Sequence, residues 1–137
     1  MRTLLILSAA IALLVTASAE AGPREALLDS FATKARAADP DFAGFSASRG
    51  EALSLTMFAQ GKSETPACTT WHTDSPLKMG VTRAGKPIEP MAVSKTPNRY
   101  TDHRKVAKWF RRNCKSVLGR QCSPREKGDF LTFMINQ

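Results

Sequence analysis

The pattern of apolar and polar positions along this chain predicts helices and no convincing strand. The first predicted helix runs from Pro23 to about Ala38, with proline at the first helical position. Its apolar residues share one side: Leu27, Leu28, Phe31 and Ala35. A second helix is predicted after Ser48-x-x-Glu51, which has capping-box spacing, and Gly61 is its expected C-terminal stop.

Two longer helices are predicted in the C-terminal third. Asp102 should cap a helix that runs to about Cys114, with these residues at core-facing spacing: Val106, Trp109, Phe110 and Asn113. Ser123, Pro124 and Glu126 combine an N-cap, a first-turn proline and a capping-box glutamate. The helix they start carries Phe130, Leu131, Phe133 and Met134. The predicted fold class is therefore all-α.

Residues 73–100 show no helical or strand period. Six prolines and glycines interrupt them: Pro76, Gly80, Gly85, Pro87, Pro90 and Pro97. A loop of this length argues against an assignment in a compact domain unless something large fills it. We therefore expect this stretch to wrap a bound group.

The N-terminus predicts export. Met1-Arg2 is a short basic region, residues 4–15 are almost continuously apolar, and small residues at Ala19 and Ala21 suit signal cleavage. Residues 1–21 are therefore predicted to be a signal peptide and the bacterial periplasm the destination; an uncleaved anchor is the alternative. Residues 22–46 are predicted to form an N-terminal helix and linker, and residues 47–137 the main domain.

The chain is basic, with a formal net charge of +8. Its basic residues cluster late in the sequence: Lys105, Lys108, Arg111, Arg112, Lys115 and Arg120. The export signal argues against a nucleic-acid partner. A face that docks an acidic redox partner or a membrane surface fits better, and a merely solvated face is the equal alternative.

The run from Cys68 to His72 differs at one position, Trp71, from the C-x-x-C-H haem-attachment motif of c-type cytochromes. In that motif a cysteine forms a thioether to haem, and the histidine one turn later is the proximal iron ligand. A short segment with one member changed is weak support by itself. The motif predicts a short helix here and Cys68 and His72 as haem-holding residues.

Several further segments, in order, resemble the Sphaeroides haem protein family of class I cytochromes c. The resemblance covers roughly residues 48–137. The matching segments are residues 66–70, 82–90, 96–102 and 108–122, the last containing Trp109-Phe110-Arg111-Arg112-Asn113-Cys114. It implies the class I cytochrome c fold, with residues 47–137 as the cytochrome domain and an extra N-terminal helix before it.

The resemblance also implies a function and a ligand set. Members of this family are small periplasmic cytochromes whose asparagine ligand leaves the iron on reduction, so that oxygen or nitric oxide can bind. Carried over by motif position, His72 is the proximal ligand, Asn113 the distal ligand and Cys68 the first thioether position, and a Cys114–Cys122 disulfide follows the asparagine. Haem c is the implied cofactor, and other periplasmic or membrane cytochromes are the implied redox partners.

Trp71 stands where the family has its second attachment cysteine. Tryptophan forms no thioether, so one covalent bond to haem remains, and the indole would crowd the vinyl edge or stack near the porphyrin. Haem held by Cys68 and His72 alone, non-covalent haem, and a haem-free domain are the three interpretations. The first two, in which haem is kept, are favoured over loss.

Other ligand sets and functions remain open. Met79 or Met91 would make an ordinary His/Met electron carrier, and His103 is a less favoured second histidine ligand. Without the resemblance, Asn113 would be interpreted as a residue near a helix C-terminus that bonds local backbone. No catalytic constellation is apparent, so we expect no enzyme.

Overall fold

The computed structural model describes residues 21–137. The predicted signal peptide therefore lies outside the described residues, except for Ala21. The elements, in chain order, are α1 (Pro23–Ala38), α2 (Ala47–Leu55), α3 (Thr69–His72), β1 (Gly80–Val81), β2 (Pro87–Ile88), α4 (His103–Leu118) and α5 (Pro124–Ile135). Within residues 21–137, no helix is both long and apolar enough to cross a membrane.

Helix α1 has the bounds that the sequence predicts. It begins with Pro23 at its first position, and its buried side contributes Leu27 and Phe31 to a core that also contains Val106 and Leu131. Its last turn and the following residues form a smaller cluster with Phe42. The N-terminal helix therefore packs into the main body of the protein.

Helix α2 begins and ends elsewhere than predicted. Its N-cap is Ser46, whose hydroxyl accepts from the Arg49 amide, so the Ser48–Glu51 capping-box prediction is wrong. The helix ends at Leu55 rather than near Gly61. The reason is a tertiary contact, because the Ser46 amide donates to the Asp129 carboxylate of α5 at 2.7 Å.

Helices α2 and α5 pack closely against each other. Gly50 lies against the backbone of Asp129, where a Cβ would overlap the Asp129 carbonyl oxygen. The Asp129 side chain is nearly buried and pairs with Arg49 at 2.7 Å. Ser123 and Glu126 make the predicted capping box at the start of α5.

The loop between α3 and α4 contains a small hairpin that the sequence pattern does not predict. β1 and β2 pair in antiparallel register, with Gly80 opposite Ile88. Gly85, at φ +76°, makes the turn between them, a conformation that glycine adopts at no steric cost. The expectation of no strand is therefore wrong for these two-residue strands.

Helix α4 begins after the predicted cap Asp102 and runs one turn further than predicted, to Leu118. Gly119 ends it in the left-handed conformation, against the backbone of Gln60. Val106 is buried as predicted, and Phe110 packs edge-on against Phe31 and Phe130.

The prediction that Trp109 and Asn113 face the core is wrong. Trp109 is 44% exposed, and Asn113 is exposed one turn further along. Because the two residues are four apart, they share a flank of α4. That flank borders the buried side of α4 that carries Val106, but its own side chains are exposed.

Candidate functional site

The segment from Cys68 to His72 forms one turn of helix. Cys68 is the N-cap of α3, and its carbonyl accepts from the amide of His72 at 3.3 Å. A spacing of four residues places the Cys68 and His72 side chains on the same side of the turn. Thr73 follows at φ +63° and ends the helix.

Cys68 and His72 line the same cleft. Three other elements complete its walls, with mostly apolar side chains: Leu55 from α2, Pro76 and Met91 from the loop, and Phe130, Phe133 and Met134 from α5. The thiol and the imidazole therefore face a mostly apolar surface.

Burial keeps the imidazole of His72 neutral. It lowers the pKa of His72 to about 4, and the positive charge of Arg99 adds to the shift. A neutral imidazole keeps the nitrogen lone pair that a metal requires. Its buried Nδ1 has no hydrogen-bond partner among residues 21–137.

Cys68 is the one free cysteine of the described chain and is partly buried. Burial raises the pKa of its thiol, which favours the protonated form at neutral pH. The other two cysteines, Cys114 and Cys122, form a disulfide, the pairing that the family resemblance implies. That disulfide fastens the last turn of α4 to the segment before α5.

Trp71 and Asn113 do not line the cleft that Cys68 and His72 share. The Trp71 backbone packs against Gly80 of β1, where a Cβ would overlap the Trp71 carbonyl oxygen. Asn113 precedes the disulfide cysteine Cys114 on α4. The predicted site residues therefore fall into two groups, one on α3 and one on α4.

Of the alternative ligands, only Met91 lines the cleft with His72. Met79 is 57% exposed. His103 is exposed at the start of α4, with its Nε2 2.6 Å from the carbonyl oxygen of Pro23.

Arg99 is a residue that the sequence-based interpretation missed. Its guanidinium donates to the carbonyls of Glu89 and Pro90, and the Tyr100 hydroxyl donates to the carbonyl of Met91 at 2.9 Å. Arg24 of α1 in turn donates to the Arg99 carbonyl at 2.8 Å. The wall of the cleft at Met91 is thus held by contacts that reach back to α1, which no short motif reveals.

Comparison with known proteins gives the family. Residues 40–134 match the family described as domain of unknown function DUF1924. Cytochrome c-type protein SHP of Cereibacter sphaeroides is 50% identical over 91 residues, which are 66% of this chain and 70% of that protein. The chain belongs to this cytochrome family. Cytochrome c'' of Methylophilus methylotrophus is 30% identical over 114 residues, 82% of this chain and 79% of that protein.

Solved structures agree. The structure of oxidized SHP, described as an oxygen-binding cytochrome c, has a TM-score of 0.77 and 41% identity, and covers 87% of this chain and 100% of that one. Oxidized cytochrome c'' has a TM-score of 0.72 and 30% identity, and covers 84% of this chain and 94% of that one. The predicted all-α cytochrome c fold is confirmed. The relatives are c-type cytochromes, so haem c, the predicted cofactor, is the cofactor of the family.

Proposed function

We propose that this chain is a periplasmic monohaem cytochrome c that transfers electrons and binds small diatomic ligands. The observation that carries the proposal is the placement of Cys68 and His72 on one helical turn, facing one apolar cleft. The family of the chain and the signal-peptide pattern of residues 1–21 support it.

The residues present fit a haem held through α3. The Cys68 thiol is unpaired, the His72 imidazole is neutral, and apolar side chains from α2, α5 and the loop surround them. When bound, haem supplies a redox-active iron with a coordination position for a small ligand. Within residues 21–137, the buried Nδ1 of His72 is an unsatisfied polar atom with no hydrogen-bond partner.

Trp71 makes the attachment asymmetric. Since tryptophan cannot form a thioether, Cys68 is left as the single covalent anchor. The attachment motif is therefore C-x-x-W-H, and the cleft walls supply more of the retention than in a doubly attached protein. Trp71 is partly buried, and its backbone lies against Gly80 of β1.

Asn113 is proposed as a displaceable distal ligand. An amide oxygen is a weak donor to iron, so a small ligand can replace it. The Cys114–Cys122 disulfide begins at the next residue and limits the movement of the backbone that carries Asn113. The description of SHP as oxygen-binding, and a study of cytochrome c'' on haem-ligand detachment, support this role.

A second candidate is an ordinary His/Met electron carrier with Met91 as the ligand. The specific observation in its favour is that Met91 lines the same cleft as His72, whereas Asn113 does not. We propose no enzymatic activity for either candidate. The partners are other periplasmic or membrane cytochromes.

The test is the visible spectrum of protein exported by a strain that matures c-type cytochromes, oxidised and reduced. It is combined with a pyridine haemochrome and a haem stain after a denaturing gel. The variants are Cys68→Ala, Asn113→Ala and Met91→Ala, with Asn98→Ala as the control for loss of an exposed asparagine.

The proposal expects a stained band that Cys68→Ala abolishes and a single-thioether haemochrome. The reduced spectrum should be high-spin, and Asn113→Ala should change the oxidised spectrum while Asn98→Ala does not. A low-spin reduced spectrum that Met91→Ala removes would establish the His/Met alternative. Colourless protein that becomes coloured with Trp71→Cys would show a family fold without haem.

A further inference from the structure

Helix α4 carries an unusual concentration of one sign of charge. Its sixteen residues include six lysines and arginines and no aspartate or glutamate: Arg104, Lys105, Lys108, Arg111, Arg112 and Lys115. All six are exposed. The ion pairs within residues 21–137 are Arg49–Asp129, Arg120–Glu126 and Arg125–Asp39, and none involves α4.

Four of these residues form a straight row. At 3.6 residues per turn, Arg104, Lys108, Arg111 and Lys115 lie within about 60° of arc and span about 16 Å along the axis. We name this row the α4 cationic stripe. Like charges at these spacings repel and destabilise a helix by about 0.2–0.5 kcal/mol per pair, so the stripe lowers the stability of the isolated chain.

The stripe points away from the candidate distal ligand. By the same helical geometry, Asn113 lies roughly half a turn around α4 from the centre of the stripe. The buried side of the helix, with Val106, Cys114 and Val117, occupies the arc beyond Asn113. The stripe is therefore a surface separate from Asn113, and it requires neither a ligand at Asn113 nor bound haem.

We propose that the α4 cationic stripe docks an acidic protein partner, through a row of carboxylates that complements its spacing. Contact with a membrane by insertion is disfavoured, because the apolar side of α4 is already buried in the core. The half-exposed Trp109 lies outside the stripe, on the flank it shares with Asn113, with Lys108 Nζ 5.5 Å and the Arg112 guanidinium carbon 5.4 Å from its ring centre. Its ring is thus occupied by neighbouring cations.

A row of exposed cations of this kind acts mainly by electrostatic steering of an approaching partner. Complementary charge accelerates encounter and aligns the partners, and its effect falls as salt screens it. We therefore expect binding that is strong at low salt and weak at physiological salt. A redox partner of the proposed cytochrome is one protein that would benefit from such an encounter.

The test compares two variants of equal net charge. The stripe variant replaces Arg104, Lys108, Arg111 and Lys115 with glutamine, and the control variant replaces four exposed lysines elsewhere: Lys34, Lys62, Lys86 and Lys95. The probe is a fluorescent peptide of about 15 residues rich in aspartate and glutamate, followed by anisotropy at low and physiological salt. Vesicles with and without anionic phospholipid are measured alongside.

We expect the stripe variant to lose about 30-fold in affinity for the acidic peptide at low salt, and the control variant less than about 3-fold. Equal losses in both variants would show that only net charge matters and would overturn the proposal. Tighter binding to anionic vesicles than to the peptide, lost in the stripe variant, would replace the protein partner with a lipid surface. Circular dichroism should show both variants folded, because the substitutions remove exposed, unpaired charges.

Discussion

The joint between α2 and α5 and the outward flank of α4 are two different kinds of surface in one small protein. At the joint, Gly50 lets two backbones touch, and Arg49 and Asp129 close the contact with an ion pair. On α4, Phe110 packs edge-on against Phe31 and Phe130, whereas Trp109 and Asn113 are exposed. The first surface is closed by direct backbone packing, and the second is left open beside the candidate site.

The difference separates stability from function. At Gly50 and Asp129 the two helices pack backbone to backbone and leave no space between them. The α4 flank carries the proposed ligand Asn113, and the C-terminal part of the helix is fastened by the disulfide and by Gly119 against Gln60. We therefore expect substitutions at the joint to act on unfolding, and substitutions on the α4 flank to act on ligand binding.

The largest expected effect is at the joint itself. Gly50→Ala places a methyl group where the Asp129 carbonyl oxygen lies, so the two helices must separate. We expect a loss of about 3 kcal/mol in the free energy of unfolding, measured by urea denaturation. Glu51→Ala, at an exposed position of the same helix, is the control and should change little. A Gly50→Ala variant as stable as the parent would mean that the joint is looser than described.

Removing the disulfide tests the fastening of α4. Cys114→Ser with Cys122→Ser opens a loop with a sequence separation of 8. On the chain-entropy relation this costs about 2.5 kcal/mol in the free energy of unfolding. If the disulfide also restrains Asn113, the haem-loaded variant should bind small ligands more readily than the parent. Unchanged ligand affinity in a folded variant would argue that the restraint is unimportant for function.

Asp129→Asn tests the polar part of the joint. The carboxylate accepts from Arg49 and from the Ser46 amide, and it is 3% exposed. Removing the charge of Asp129 should lower the free energy of unfolding by about 2 kcal/mol. Because Arg49 is half-exposed, replacing it alone should cost less in the free energy of unfolding. A double-mutant cycle of Asp129→Asn and Arg49→Met therefore measures the coupling energy between the two side chains. A coupling energy near zero would leave the Ser46 contact as the important one.

The smallest expected effect concerns pH and the start of α5. The hydrogen bond from Arg120, and then the Ser123 backbone amide, hold the pKa of Glu126 below its usual value of 4.5. The folded state therefore binds this proton less readily than the unfolded state, so the stabilisation is present above pH 4.5 and is lost as pH falls through the folded pKa.

Because the Glu126 carboxylate is partly exposed, we expect it to add only about 1 kcal/mol to the free energy of unfolding at neutral pH, relative to the Glu126→Gln variant. Thermal unfolding of both proteins from pH 3 to 7 measures the difference, which should shrink towards the acid end. A constant difference across that range would contradict an ionic contribution.

Local signals predicted much of the helical frame. Pro23 starts α1, Asp102 caps α4, and Ser123 with Glu126 starts α5, each as predicted. These signals work because a cap satisfies free backbone amides within a few residues of itself. The one-turn segment after Cys68 was predicted for a similar reason, from the four-residue spacing of its thiol and imidazole.

The predictions that were wrong concern residues whose positions are set by contacts far away in the sequence. Two serines, Ser46 and Ser48, could each have capped α2, and the Asp129 carboxylate, 83 residues away, holds the first of them. Asn113 stands seven residues after buried Val106 and four before buried Val117, so its spacing predicts a core position, and only the fold shows that it is exposed. Arg99 acts on His72 only because its side chain crosses to the carbonyls of Glu89 and Pro90.

The sequence by itself determined the all-α class, the strongest helix starts, the Cys68–His72 turn and the resemblance to the cytochrome family. Each depends on groups within a few residues of one another or on ordered motifs. Tertiary structure decided where α2 begins, how closely it meets α5, and that Cys68 and His72 share a cleft which Trp71 and Asn113 do not line. Those outcomes follow from backbone approach and burial across the fold, which local spacing does not encode.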